Sequence, residues 1–167
     1  MARKLVKFDF DPLKGVRRKL SEEKQAEVLD NIAELVKESV LKSVSSGFSP
    51  VTGKEFKSLS KGYKKYKQSE GLPGKPNLEF SGDLLDSLIV ERVQKSGKEV
   101  LRLTVSDEEQ GKADGHNNFS GQSLLPRRPF IPDESRGENF IKEINQEISQ
   151  LVSDAIDEEE SQGNAED

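Results

Sequence analysis

His116-Asn117-Asn118 is the first place in the sequence where side chains could do chemistry. The order superficially matches the metal-and-base signature of an HNH nuclease. That chemistry needs a second histidine, or an equivalent ligand and base, and His116 is the only histidine in the chain. The expected role for His116 is packing or hydrogen bonding within a turn. There is no cysteine, so no disulfide scaffold and no zinc-thiolate site can form. Gly71-Leu72-Pro73-Gly74-Lys75-Pro76 carries a Gly-Lys step, but a phosphate loop needs different spacing and a Ser or Thr after the lysine. Asp83 with Asp86, or Asp107 with Glu108 and Glu109, would supply paired carboxylates, which without a pocket are solvated faces. No serine sits in a nucleophile-elbow pattern. The expectation is a protein with no catalytic residues, no cofactor and no metal.

Lys61-Gly62-Tyr63-Lys64-Lys65-Tyr66-Lys67 is the other chemically suggestive stretch. Lysines interleaved with aromatic rings suit a nucleic-acid backbone and its bases, which makes Lys61, Lys64, Lys65 and Lys67 candidate contacts. On a helical turn, however, Tyr63 and Tyr66 would both face inward and leave the lysines to solvent.

The elements that must hold these residues can be read from periodicity. Val6, Phe8 and Phe10 alternate with Lys7, Asp9 and Asp11 as in a half-buried strand, which Pro12 ends. Gly15 to Leu20 is a basic connector. Ser21 is placed to cap a helix whose first turn holds Glu22 and Glu23. Leu29, Ile32, Ala33, Val36, Val40 and Val44 form its apolar stripe, and Gly47 follows as the terminating residue. From Phe48 to Gly82 the period is lost, yet Phe48, Phe56, Leu59, Tyr63, Tyr66, Leu72, Leu78 and Phe80 recur as anchors. The expectation there is an ordered, extended excursion, bearing seven lysines between Lys54 and Lys75.

Ser81 to Ser87 fits a single helical turn. Leu88–Val93 and Glu99–Val105 read as a hairpin joined through Lys95-Ser96-Gly97-Lys98, with Leu101, Leu103 and Val105 inward and Arg102 and Thr104 outward. Asp107 to Asp114 reads as polar loop or a loose turn. Three prolines between Pro126 and Pro132 impose an extended segment. Ser135 and Glu138 match a capping box before a second helix, in which Ile141, Ile144, Ile148, Leu151 and Ala155 step by threes and fours. The acids after Ile156 oppose the helix dipole, so disorder is expected over 157–167.

Together these elements give an α+β fold: two main amphipathic helices packed on a small antiparallel sheet. Residues 1–156 form a single domain with an extended loop at 48–82. The 167 residues include 44 Leu, Ile, Val and Phe, about 26%, enough for one modest core despite a mean hydropathy of -0.74. No apolar run approaches the ~18 residues of a membrane span. The basic start, Met1 to Lys7, lacks the apolar stretch of a secretory signal, so the expected setting is the cytoplasm, with no membrane partner. Residues 1–80 carry 17 basic and 11 acidic side chains, net +6, and residues 81–167 carry 9 and 20, net -11. Such polarity suits charged partners or head-to-tail association.

The order of landmarks is more specific than any one of them. Phe48-Ser49-Pro50-Val51-Thr52-Gly53-Lys54-Glu55-Phe56-Lys57-Ser58-Leu59 is followed by Leu78-Glu79-Phe80-Ser81-Gly82-Asp83-Leu84-Leu85-Asp86-Ser87. A hairpin comes next, then Ala113-Asp114-Gly115-His116, and last Pro126-Arg127-Arg128-Pro129-Phe130-Ile131. Over about residues 5–152 the chain resembles the tailed-phage virion-morphogenesis family, the tail-completion or neck proteins. It departs from that pattern at Phe56, where the family more often has Trp.

The resemblance implies a structural protein of the virion, assembled in the host cytoplasm, that joins a finished tail to a DNA-filled head. It would act without catalysis as one component of an oligomeric ring, with six-fold or twelve-fold symmetry. Its partners would be copies of itself, other neck, connector and tail-terminator proteins, and packaged DNA nearby. Candidate contacts between subunits are Phe56, Tyr63, Arg127, Arg128 and Phe130, the arginines as fork-like donors and Phe130 as an anchor. Phe130 could equally close the core of its own chain. The alternatives are a basic-loop nucleic-acid-binding module and a morphogenesis chaperone not retained in the particle.

Overall fold

Strand β1 (Lys7–Phe10) owes its place to alternation, with Phe8 entering the core and Lys7 facing out. The computed structural model describes residues 6–56, 58–74, 76, 83–117, 128–132 and 137–165. Helix α1 (Glu22–Ser45) starts where Ser21 accepts a hydrogen bond from the Lys24 backbone N–H at 3.2 Å, and ends at Gly47, whose φ of +85° suits the residue after a helix. Its apolar stripe is fully enclosed, with Val28 added to the six residues expected.

Helix α2 (Lys61–Ser69) follows, then the short α3 (Asp83–Asp86), strands β2 (Leu88–Lys95) and β3 (Lys98–Val105), α4 (Gln110–Asn117) and α5 (Gly137–Ala165). The sheet runs β1-β3-β2 and is antiparallel throughout. Ser96 and Gly97 both take positive φ, 53° and 77°, the two-residue turn whose twist matches a hairpin. Leu101, Leu103 and Val105 point into the core, and α1 covers that face, packing on β2, β3 and α5. The fold is α+β, as the sequence periods indicate.

Three local expectations need correction. The excursion from Phe48 is not extended throughout, because Ser60 caps α2 by accepting from the Tyr63 backbone N–H. Its Gly and Pro residues lie on either side of a nine-residue helix with one internal glycine. The polar segment after Val105 is also helical: a turn at Asp107–Glu109 leads into α4. The buried Gln110 side chain fastens α4, accepting from the Val6 N–H at 2.8 Å and donating to Thr104 Oγ1 at 3.0 Å and the Val105 carbonyl at 3.1 Å.

The third correction concerns the acidic end. α5 continues through the acids to Ala165 instead of giving way to disorder. The C-terminal part of α5 lies beside the N-terminus of α1, where exposed N–H groups favour negative charge. There Glu159 accepts from the Ser21 N–H at 2.9 Å and Glu158 pairs with Lys24. An acid run that opposes its own helix's dipole is therefore matched to that of its neighbour. Of the expected seam of α5, Ile144, Ile148 and Ala155 are buried and Leu151 is half-buried, Phe140 and Val152 join them, and the Ile141 side chain lies outside the described residues. The Ser135 capping box lies outside the described residues.

Two outcomes follow from these contacts. A chain ending at Ile156 should lose the helical circular-dichroism signal of about nine residues, whereas removing a disordered tail would leave the signal unchanged. On the outer sheet face Arg102 donates to both oxygens of Asp9, at 2.8 and 3.1 Å, and these bonds hold Asp9's carboxyl below its ordinary value against the opposing effect of burial. A depressed carboxyl adds stability above its unfolded pKa of about 3.9, and that stability is lost as pH falls through the lower folded value. Urea unfolding across pH should show Asp9→Asn flattening the acid limb of stability.

Candidate functional site

Segments far apart in sequence converge at the C-terminal end of α1. Phe48 N–H donates back to the Ser43 carbonyl at 2.9 Å, and Phe56 N–H to the Gly47 carbonyl at 2.8 Å, so residues 48–56 fold into a closed turn against the helix end. Within it Ser49 accepts from the Val51 and Thr52 N–H groups, both at 3.2 Å, while its hydroxyl donates to the Pro129 carbonyl at 2.5 Å. Arg128 Nη2 donates to the Ser58 carbonyl at 3.3 Å. Two contacts about 70 and 80 residues apart in sequence thus tie the excursion to the proline segment.

Phe56, Phe130 and Ile131, from the segments so tied, belong to one buried core cluster, and Val51 is buried as well. Phe130, with no exposed surface, and Phe56 complete this chain's own core, so neither reaches another subunit as an anchor. The expectation that they mediate contact between copies is corrected by that burial. Arg128 is only 6% exposed, and burial pushes its guanidinium below the ordinary value, offset in part by the nearby Tyr63 hydroxyl. It positions the excursion from within and has little surface to offer a neighbour. Arg127 lies outside the described residues.

What remains outward is α2. Tyr63 is 43% and Tyr66 51% exposed, so the inward-facing tyrosines expected from their spacing are not found; Lys67 turns in instead, at 2% exposed. Lys61, Lys64 and Lys65 are exposed, and the two tyrosine rings lie 6.5 Å apart, tilted by 41°. No acid occurs in α2. Lys67 leaves the set of candidate nucleic-acid contacts, and Lys61, Lys64 and Lys65 stay in it.

Sequence reasoning missed a second charged surface. Asp154, Asp157 and Glu160, with Glu147 about two turns earlier, stand on the face of α5 turned away from the core. The signal was present in their helical spacing, but it was hidden once that stretch was taken as disordered. Only the Asp154 carboxylate has a described side-chain partner there, Gln150 Nε2 at 2.8 Å.

A cleft of about 640 Å³ opens between α5 and the connection from β1 to α1, floored by Phe10, Val16, Ile148 and Val152 and rimmed by Lys14 and Lys19. Its carboxylate, Asp11, is taken up by Arg17 at 2.8 and 3.1 Å. His116 sits in helix α4 and not in a turn, and its side chain lies outside the described residues. Among the described residues no three His, Asp or Glu groups converge as a metal cage requires, and no helix is long and apolar enough to cross a membrane.

Comparison with protein-family models, with curated proteins and with solved structures found no match. The core and surface roles assigned to the aromatic residues separate cleanly in unfolding experiments. Phe130→Ala should lower stability by about 3–5 kcal/mol, while Tyr66→Ala should change it by less than about 0.5 kcal/mol.

Proposed function

We propose that this chain is a non-catalytic subunit of a tailed-phage neck, joining tail to head by packing against copies of itself and adjoining connector and terminator proteins. The supporting observation is the junction of Ser49 and Ser58 with Pro129 and Arg128. The segments that carry the family resemblance, distant in sequence, are joined by direct hydrogen bonds and share a buried apolar floor. A scaffold of this kind holds α2 outward at a fixed place on the subunit, as a ring component needs. The exposed lysines of α2 and the acids on the outer face of α5 give such a subunit surfaces of opposite sign.

The test is assembly. In a lysate of the parent phage lacking this chain, filled heads and finished tails should accumulate unjoined, and purified protein should restore infectious particles. Mass spectrometry of those particles should then find the chain. If it is required but absent from them, it is an assembly chaperone; if joining proceeds without it, the proposal fails. A second reading, contact with nucleic acid, is favoured by the exposed tyrosines and lysines of α2. Under that reading DNA affinity would fall steeply with salt, and replacing Lys61, Lys64 and Lys65 would lower the slope.

A further inference from the structure

We propose that α2 of one copy docks on the outer face of α5 of the next, so that copies associate head to tail through two different surfaces of the same chain. The inference rests on the assembly reading above for the identity of the partner.

Two surfaces carry it. At 3.6 residues per turn Lys61, Lys64 and Lys65 fall within one arc of about 100°, while Tyr63 and Tyr66 lie on the other side of the helix. Lys61, Lys64 and Lys65 are exposed, and among the described residues no helix or strand packs along α2, so this face is presented outward. On α5 the opposite sign runs along the outer face: Glu147, Asp154, Asp157 and Glu160 span about 20 Å of helix, and the ~6 Å from Lys61 to Lys65 fits within the ~9 Å from Asp154 to Glu160. Glu158 and Glu159 are engaged at the N-terminus of α1, and they hold the outer acids in helical register.

A second copy is favoured over nucleic acid by the whole-chain field. The chain carries a net charge of -5, and the acidic face of α5 would repel phosphate while attracting the α2 of another copy. Because the two surfaces differ, the contact is heterologous, and it generates a ring if the rotation closes and a filament if it does not.

Paired charge reversal in the full chain provides the test. One variant carries Lys61→Glu, Lys64→Glu and Lys65→Glu; the other carries Glu147→Lys, Asp154→Lys, Asp157→Lys and Glu160→Lys. In sedimentation velocity at about 0.01 M salt, where charges act over about 30 Å, the unaltered chain should form species larger than a monomer. Each variant alone should associate at least about tenfold more weakly, since like charges then face each other. An equal mixture should regain the lost association, which two misfolded proteins could not do.

The contact is refuted if the unaltered chain stays monomeric, if either variant associates as the unaltered chain does, or if the mixture stays monomeric while both variants keep their helical signal. It is also refuted if short duplex DNA binds through the lysines and copies do not associate. Particles that contain the chain and join normally with either variant would sink this contact and leave the neck reading intact. Association restored by mixing, from a chain with no part in joining, would do the reverse.

Discussion

The Ser49 hydroxyl holds together the part of the molecule on which any function of α2 depends. It receives two backbone N–H groups of its own turn and donates its proton to Pro129, whose preceding and following residues are buried. A hydroxyl has one proton and two lone pairs, so all of its capacity is used here. An alanine at this position would strand three backbone groups, two of them donors, at a site with little access to water. Arg128 adds a second tie at Ser58, three residues before α2 begins. The short helix therefore stands on a fixed base, although among the described residues no other helix or strand packs along it.

The second constraint is electrostatic and acts between helix ends. α1 opens with Glu22 and Glu23, and Glu158 and Glu159 arrive at the same end from α5. Four carboxylates near one helix N-terminus repel one another, and Lys24 with the unbonded N–H groups of the first turn offsets that repulsion. The acid run thus has a structural role: it sets how far α5 extends along α1, and with it the position of the acids on the outer face.

Much of the fold is legible in the sequence because its signals are local. The stripe of α1, the Ser21 cap, the Gly47 terminator and the Ser96-Gly97 turn depend on neighbours within a few residues, and all are found in place. The site is less legible because it is made of distant contacts. Nothing near Ser49 announces Pro129, and nothing near Glu159 announces Ser21. Tyr63 and Tyr66 misled for a related reason: their spacing fits an inward face, yet Lys67 occupies that face. The acids after Ile156 look unfavourable beside their own helix alone, and only the neighbouring helix reverses the sign. The burial of Phe56 and Phe130 shows that both serve this subunit's own interior.

The pairing of β1 with β3 spans nearly the whole first two-thirds of the chain, from Lys7 opposite Thr104 to Phe10 opposite Leu101. On a ribosome the first strand leaves the exit tunnel long before its mate is made. At about 5–20 residues per second the intervening stretch takes about 5–20 s to synthesise. Throughout that interval Phe8 and Phe10 have no sheet to join, and the apolar stripe of α1 has no floor. Until β3 is made, the nascent polypeptide therefore carries the apolar residues of β1 and α1 without the sheet that covers them, the kind of transient surface that invites aggregation.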